Sequence, residues 1–230
     1  MGILDLFKKK EEGKVKVNDY KAFDIVKDVK GDYSGFEKKL LNHSTVMLIT
    51  GRRGSGKTAL GMKFLELFKE KTRKRCLAMG FSDAKLPWKI KKIADLEAAP
   101  KNSVVLIDEG AVTFSSRDSM KDSNKLLGKI MAVARHKNLS LILIVQNSAM
   151  IDLNVLRLAD SLILKEPSLL QTEFERAPIK KIYSQVIPHF EELKEKQKHF
   201  YVWDDDFQGL MKYDLPNFWN DNISKSFRNF

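Results

Sequence analysis

Eight consecutive residues carry the clearest chemistry in this sequence: Gly51-Arg52-Arg53-Gly54-Ser55-Gly56-Lys57-Thr58. They match G-x-x-x-x-G-K-[ST], in which glycines let the backbone wrap a phosphate chain and point its N–H groups at the anion. In this pattern the lysine reaches the outer phosphates and the final hydroxyl holds Mg²⁺. We therefore expect ATP with Mg²⁺ as cofactors, bound by Gly51, Arg53, Gly54, Ser55, Gly56, Lys57, Thr58 and Ala59.

A second apolar segment ends in two carboxylates, Asp108 and Glu109. Such a segment, if it is a parallel strand, delivers them to the same edge of the sheet as the phosphate loop. There Asp108 would bind the Mg²⁺ shell, mainly through water. Glu109 would orient or deprotonate the attacking water. The pair indicates hydrolysis of the nucleotide as well as binding.

The elements around these residues alternate between apolar strands and helices. Strands are predicted at 45–50, 75–79, 103–109, 139–145, 161–164 and 200–203, and helices at 36–41, 58–69, 88–96, 118–137 and 153–159. This alternation predicts a mostly parallel sheet with helices on both faces, an α/β three-layer P-loop NTPase fold. Strand 75–79 stands between the phosphate loop and Asp108, which resembles the additional-strand division of P-loop ATPases.

Three parts of the chain differ in pattern. Residues 1–33 are predicted to be an N-terminal appendage, residues 34–166 the P-loop ATPase core, and residues 167–230 a C-terminal extension packed on or next to that core. Within residues 1–10 a short apolar face is followed by three lysines, which is typical of a frayed terminus or of a helix that contacts a membrane surface or a protein partner.

The amino-acid composition further limits the class of protein and its partners. The chain of 230 residues has a formal charge of +11, which favours polyanionic partners such as nucleic acid or an acidic membrane. No apolar run approaches the roughly 18 residues of a membrane span, and no signal peptide is recognisable, so we expect a cytoplasmic protein. The single cysteine, Cys76, lies in a predicted strand and is expected to be a buried structural thiol.

A more specific resemblance runs through residues 134–147, where Arg135 precedes an apolar strand and Gln146 follows it. This block resembles the R-x-x-G-strand-Q pattern of the FtsK–HerA superfamily of DNA-pumping ATPases, with Asn138 in place of the glycine. The similarity is to small members: genome-packaging ATPases of membrane-containing and archaeal viruses, and Zot-like morphogenesis ATPases of filamentous phages. Segments 146–152 and 156–160 are similar to the Zot-like proteins, and segment 200–209 resembles a tail shared by small archaeal plasmid and virus ATPases.

The resemblance implies roles for both residues. Gln146 would sense the γ-phosphate, and Arg135 would be an arginine finger that reaches the nucleotide of a neighbouring subunit in a ring, a hexamer in this superfamily. An ordinary surface arginine at a helix end is the alternative interpretation of Arg135, and Arg117 and Arg157 compete for the role of the finger. Lys57, Glu109, Gln146 and Arg135 are thus the predicted catalytic residues, and Thr58 and Asp108 the predicted metal ligands.

Three hypotheses follow for the function. The first is an ATP-driven DNA translocase, a viral genome-packaging motor that works in the host cytoplasm or the virion. The second is a Zot-like ATPase that powers virion assembly or extrusion at a membrane. The third is a nucleotide-gated binding module that does not hydrolyse ATP, against which Asp108 and Glu109 argue.

Overall fold

A computed structural model describes residues 20–81, 85–87, 89–108, 120–145, 153–175, 177–220 and 223. The strands are β1 (Asp24–Gly31), β2 (Val46–Thr50), β3 (Cys76–Met79), β4 (Ile90–Ile93), β5 (Val104–Asp108), β6 (Ser140–Ile144), β7 (Ser161–Leu164), β8 (His199–Asp204) and β9 (Phe207–Lys212). The helices are α1 (Tyr33–Asn42), α2 (Lys57–Lys71), α3 (Met120–Lys137), α4 (Leu153–Leu158), α5 (Leu169–Phe174), α6 (Ala177–Val186) and α7 (Pro188–Glu191), with 3₁₀ turns at Leu96–Ala98 and Lys196–Lys198.

The described strands form one nine-stranded sheet in the order β1-β9-β8-β7-β2-β6-β5-β3-β4. The run from β7 to β4 is parallel, whereas β8, β9 and β1 extend it in antiparallel pairing. Strand β6 lies between β2, which leads into the phosphate loop, and β5, which ends at Asp108. This order confirms the α/β fold of the additional-strand type.

Helices cover both faces of the parallel strands, as expected for buried strands. On one face α2 packs Leu60 and Phe64 into a cluster that includes Leu106 of β5. On the other face α3 packs Ile130 and Ala134 into a second cluster. The close approach of α2 depends on a glycine, because a Cβ at Gly61 would lie 2.7 Å from Leu106 Cδ1.

The two outer segments contribute strands to the same sheet as the core. Strand β1 pairs with β9 from Asp24↔Lys212 to Gly31↔Phe207, so residues 24–31 of the predicted N-terminal appendage add a strand to the core sheet. Strands β8 and β9 pair next to β7 and show that the extension after residue 166 continues the core sheet. Of these three strands only β1 is an edge strand, and its local sequence signal is weak because long-range pairing stabilises it.

One predicted helix is a strand. Residues 88–96 were expected to be mostly helical, but Ile90–Ile93 is β4 and pairs in parallel with β3, from Cys76↔Ile90 to Met79↔Ile93. Ile90 and Ile93 are three residues apart, a spacing that also suits a helix face. Pairing with β3 decides between the two structures.

Cys76 is buried, and burial raises the pKa of its thiol to about 11. The thiol donates to the carbonyl of Leu65 at 3.4 Å. This confirms the expected structural thiol. No helix in the described ranges is long and apolar enough to cross a membrane.

Candidate functional site

The phosphate loop joins the end of β2 to the start of α2. Three of its glycines have positive φ angles: 145° at Gly51, 75° at Gly54 and 89° at Gly56. Such angles strain residues that carry a Cβ, so the glycine positions of the motif match the backbone that forms. Gly56 caps α2 at its N-terminus, where the helix dipole and free N–H groups favour an anion.

The Lys57 side chain folds back over the loop. Its Nζ donates to the carbonyl oxygens of Gly51, at 2.9 Å, and of Arg52, at 3.0 Å. The side chain is buried, so its charge lies in a low-dielectric region where an anion would be strongly attracted.

Ser55 provides a direct test of whether the loop suits a ligand. Its Oγ is buried, and among the described residues it has no hydrogen-bond partner. Buried hydroxyls are nearly always paired, so an orphaned one inside a phosphate loop fits a nucleotide oxygen as its missing partner.

Asp108 lies at the same level of the sheet as the loop. Asp108 pairs with Ile144, and Ile144 pairs with Ile49 of β2, so two strand spacings, about 10 Å, separate β5 from β2 there. Alternation along β5 points the half-buried Asp108 to the face that α2 covers. Thr58, also half-buried, is the second residue of α2. The two expected Mg²⁺ ligands thus share one edge and one face of the sheet, which fits a magnesium site.

Two predicted catalytic residues, Glu109 and Gln146, lie outside the described residues. Each directly follows a described one, Asp108 and Val145 respectively. Their roles stay predictions.

Arg135 lies far from the phosphate loop of its own chain. It is exposed in the last turn of α3, just before β6 begins, at the edge where the parallel strands start. The loop follows the opposite ends of these strands, and the five residues of β2 span about 15 Å. Asn138 adopts the left-handed conformation, with φ 54°, as expected for a residue in place of glycine. The structure therefore does not bring Arg135 into the site of its own subunit.

The structure adds neighbours of the loop that sequence patterns missed. Glu166 forms an ion pair with Arg52 at 2.8 Å and another with Lys196 at 2.8 Å. Lys165 is fully buried beside Gly51, and the Tyr213 hydroxyl donates to the carbonyl of Gly56 at 3.2 Å. The only local signal is a Lys-Glu pair directly after the apolar strand β7, and many surface strand ends look the same.

The phosphate loop, the carboxylate on β5 and the intervening β6 together define a P-loop NTPase of the additional-strand type. The model of one family, Novel STAND NTPase 3 (nSTAND3), matches residues 29–155. The chain belongs to this family. Among curated proteins, no match was found.

Solved structures share the fold at low sequence identity. The genome-packaging NTPase B204 of Sulfolobus turreted icosahedral virus 2, with sulfate, is 19% identical with a TM-score of 0.52, over 76% of this chain and 98% of that one. The same NTPase with AMPPCP is 16% identical with a TM-score of 0.52, over 75% and 99% of the two chains. The pCW3 conjugation coupling protein TcpA with ATPγS is 13% identical with a TM-score of 0.52, over 82% and 66%.

These structures confirm the predicted fold, and among them is a genome-packaging NTPase, the kind of protein that residues 134–147 resemble. The B204 and TcpA structures hold the ATP analogues AMPPCP and ATPγS, respectively.

Proposed function

We propose that this NTPase hydrolyses ATP with Mg²⁺ to move DNA, as a viral genome-packaging motor. The observation that carries the proposal is the match to the packaging NTPase B204 over 98% of its length, so that nearly the whole of that fold has a counterpart here. The similarity to a conjugation coupling protein is in keeping with it.

Residues at the edge of the sheet next to the phosphate loop would each have a separate role in hydrolysis. Lys57 and the N–H groups of the loop bind and orient the phosphates, while Thr58 and Asp108 hold Mg²⁺, which neutralises phosphate charge when bound. Glu109 positions and deprotonates the attacking water, and Gln146 senses the γ-phosphate. Lys57 is buried and Thr58 and Asp108 are half-buried, which strengthens the electrostatic effect of these three residues.

A second copy of the chain would complete this site. Arg135 lies at the edge opposite the loop, so its guanidinium can serve a γ-phosphate only in a neighbouring subunit. Repetition of one such head-to-tail contact closes into a ring when the rotation permits, and a hexamer is the form that we propose.

Exposed cations support DNA as the partner. Arg73 and Arg75 lie just before β3, and Lys101 lies before the neighbouring β5, so all three share the edge where the strands begin. No ion pair joins their side chains to a carboxylate in the described part of the chain. Unpaired, exposed cations on adjacent strands suit a phosphate backbone, and binding to it would weaken with salt.

The test is ATP hydrolysis with and without duplex DNA. We expect DNA to stimulate the wild type and the Glu109→Gln variant to bind ATP without turnover. Arg73→Ala combined with Arg75→Ala should reduce DNA stimulation and its salt dependence, whereas the control Lys181→Ala with Lys194→Ala, two exposed lysines elsewhere, should not. A wild type that hydrolyses no ATP under either condition would refute the proposal.

The two other hypotheses give different results in the same assays. A Zot-like ATPase would lose liposome binding when residues 1–10 are deleted, with DNA-stimulated turnover unchanged; these residues lie outside the described ranges. A non-hydrolysing module would produce no ADP in a single-turnover assay.

A further inference from the structure

Lys165 is the most deeply buried charged residue next to the phosphate loop, with 0% of its surface exposed. It directly follows β7, and its backbone N–H donates to the carbonyl of Thr50 at 2.8 Å. A Cβ placed on Gly51 would lie 2.6 Å from the Cβ of Lys165. The first glycine of the loop therefore packs directly on this lysine.

The Lys165 ammonium reaches toward the other end of the loop. Its Nζ donates to the carbonyls of Gln197, at 2.5 Å, and His199, at 2.7 Å, and lies 4.8 Å from the centre of the Tyr213 ring. A Cβ placed on Gly56 would lie 3.2 Å from the Tyr213 hydroxyl and 3.9 Å from Lys165 Cε. The first glycine of the loop thus rests on Lys165, and the last rests on Tyr213 of the C-terminal extension and on the end of the Lys165 side chain.

We propose that Lys165 is a positioning residue of the nucleotide site, which holds Gly51 and Gly56 against the C-terminal extension and places a second buried cation beneath the bound phosphates. The inference rests on nucleotide binding by the loop and not on DNA transport. Two carbonyls and an aromatic face are all partners for a cation, so the surroundings suit the charged ammonium.

The charge state of Lys165 should depend on whether a nucleotide is bound. Burial lowers the pKa of Lys165 to about 7, the nearby Lys57 lowers it too, and Glu166 opposes them. An anion in the loop favours the charged ammonium, so nucleotide binding should take up a proton. Affinity should then be highest below pH 7 and fall as the pH rises through the higher pKa of the complex. Lys57, Glu166, His199 and Tyr213 lie near Lys165, and Arg52 and Lys196 are the ion-pair partners of Glu166.

The test compares Mg²⁺–ADP affinity by calorimetry from pH 6 to pH 9 in Lys165→Met and in Lys63→Met. Lys63 is the matched control, since it is also buried, but it pairs with Glu66 at 2.6 Å in the middle of α2. We expect Lys165→Met to weaken Mg²⁺–ADP binding about tenfold at pH 6, which is the free energy of a pKa shift of about one unit. The difference in affinity between this variant and the wild type should shrink by pH 9.

The control should keep the affinity and pH profile of the wild type, including any titration of the ADP itself. Equal affinity of Lys165→Met and wild type at pH 6 would overturn the inference. So would an equal loss in Lys63→Met, because it would indicate a general effect of destabilisation.

A measurement on the wild type keeps the inference testable even if Lys165→Met fails to fold. Calorimetry at pH 7.5 in buffers of different ionisation enthalpy should show proton uptake when Mg²⁺–ADP binds, and no uptake would contradict the inference. If the wild type binds no Mg²⁺–ADP at all, nucleotide binding itself fails, which is a different result from binding without proton uptake.

Discussion

Arg52 and Glu166 are joined twice. The guanidinium of Arg52 lies 2.8 Å from the carboxylate of Glu166, and the backbone N–H of Arg52 donates to the carbonyl of Glu166 at 3.1 Å. Lys196 binds the other carboxylate oxygen at 2.8 Å. The phosphate loop is therefore tied to Glu166, two residues after β7, and, through Lys196, to the C-terminal extension.

Replacing the carboxylate tests this connection. Glu166→Gln removes two ion pairs but keeps the backbone bond, and the Arg52 side chain is 46% exposed, so solvent screens much of the interaction. We expect a loss of about 1 kcal/mol or less, a fall in Tm of about 2–4 °C by thermal denaturation. Glu173→Gln, which removes an exposed pair with Lys180, is the control and should leave Tm unchanged. Equal Tm values for the two variants would contradict the structural role of Glu166.

Two glycines of the loop should differ in their tolerance of alanine. At Gly51, with φ 145°, a new Cβ would lie 2.6 Å from Lys165 Cβ and 3.1 Å from its backbone. At Gly54, with φ 75°, no described residue would lie within 4 Å of the new Cβ. We expect Gly51→Ala to cost about 3 kcal/mol, from strain and overlap together, and Gly54→Ala about 1 kcal/mol, from strain alone. Denaturant unfolding of both variants measures this, and similar costs would show that Lys165 does not pack against the loop.

Two helical glycines should respond to alanine with opposite signs. In α2 a Cβ at Gly61 would lie 2.7 Å from Leu106 Cδ1 and 3.3 Å from Ile144 Cδ1, whereas at Gly128 in α3 it would meet no described atom within 4 Å. We expect Gly61→Ala to destabilise by about 1–3 kcal/mol through overpacking. Gly128→Ala should stabilise by about 0.5–1 kcal/mol, because alanine favours the helix. Stabilisation in both variants, measured by urea denaturation, would mean that α2 does not pack so closely on β5.

A shared active site predicts complementation between inactive variants. Lys57→Ala should lose nucleotide binding, whereas Arg135→Ala should bind nucleotide and lose hydrolysis. In a random equal mixture, about a quarter of the head-to-tail contacts would join an intact loop to an intact arginine, so hydrolysis should partly recover. Arg157 is an exposed arginine that competes with Arg135 for the role of the finger. The Arg157→Ala variant should hydrolyse ATP without being mixed with another variant. Mixtures that stay inactive, although the variants form mixed rings, would exclude a role for Arg135 in its neighbour's site.

Some features of this protein could be predicted because their signals are local. The loop glycines have the angles that the motif needs, and Val104–Asp108 and Ser140–Ile144 are strands, as their apolar runs indicate. The region between Ile90 and Ile93 was wrongly predicted as a helix, since two isoleucines three residues apart suit either structure. Glu109 and Gln146 remain predictions from their positions after such strands.

By itself, the sequence determined the chemistry of the phosphate loop and the edge of the sheet to which Asp108 belongs. Both follow from residue types over short spacings and from the direction of parallel strands. Only the tertiary structure decided that Arg135 lies at the opposite edge and that Lys165, Glu166 and Tyr213 support the loop. Tyr213 is 157 residues from Gly56, whose carbonyl it binds. The physical reason is that pairing of β7, β8 and β9 brings these residues to the loop, and such long-range pairing leaves no periodic pattern around any one of them.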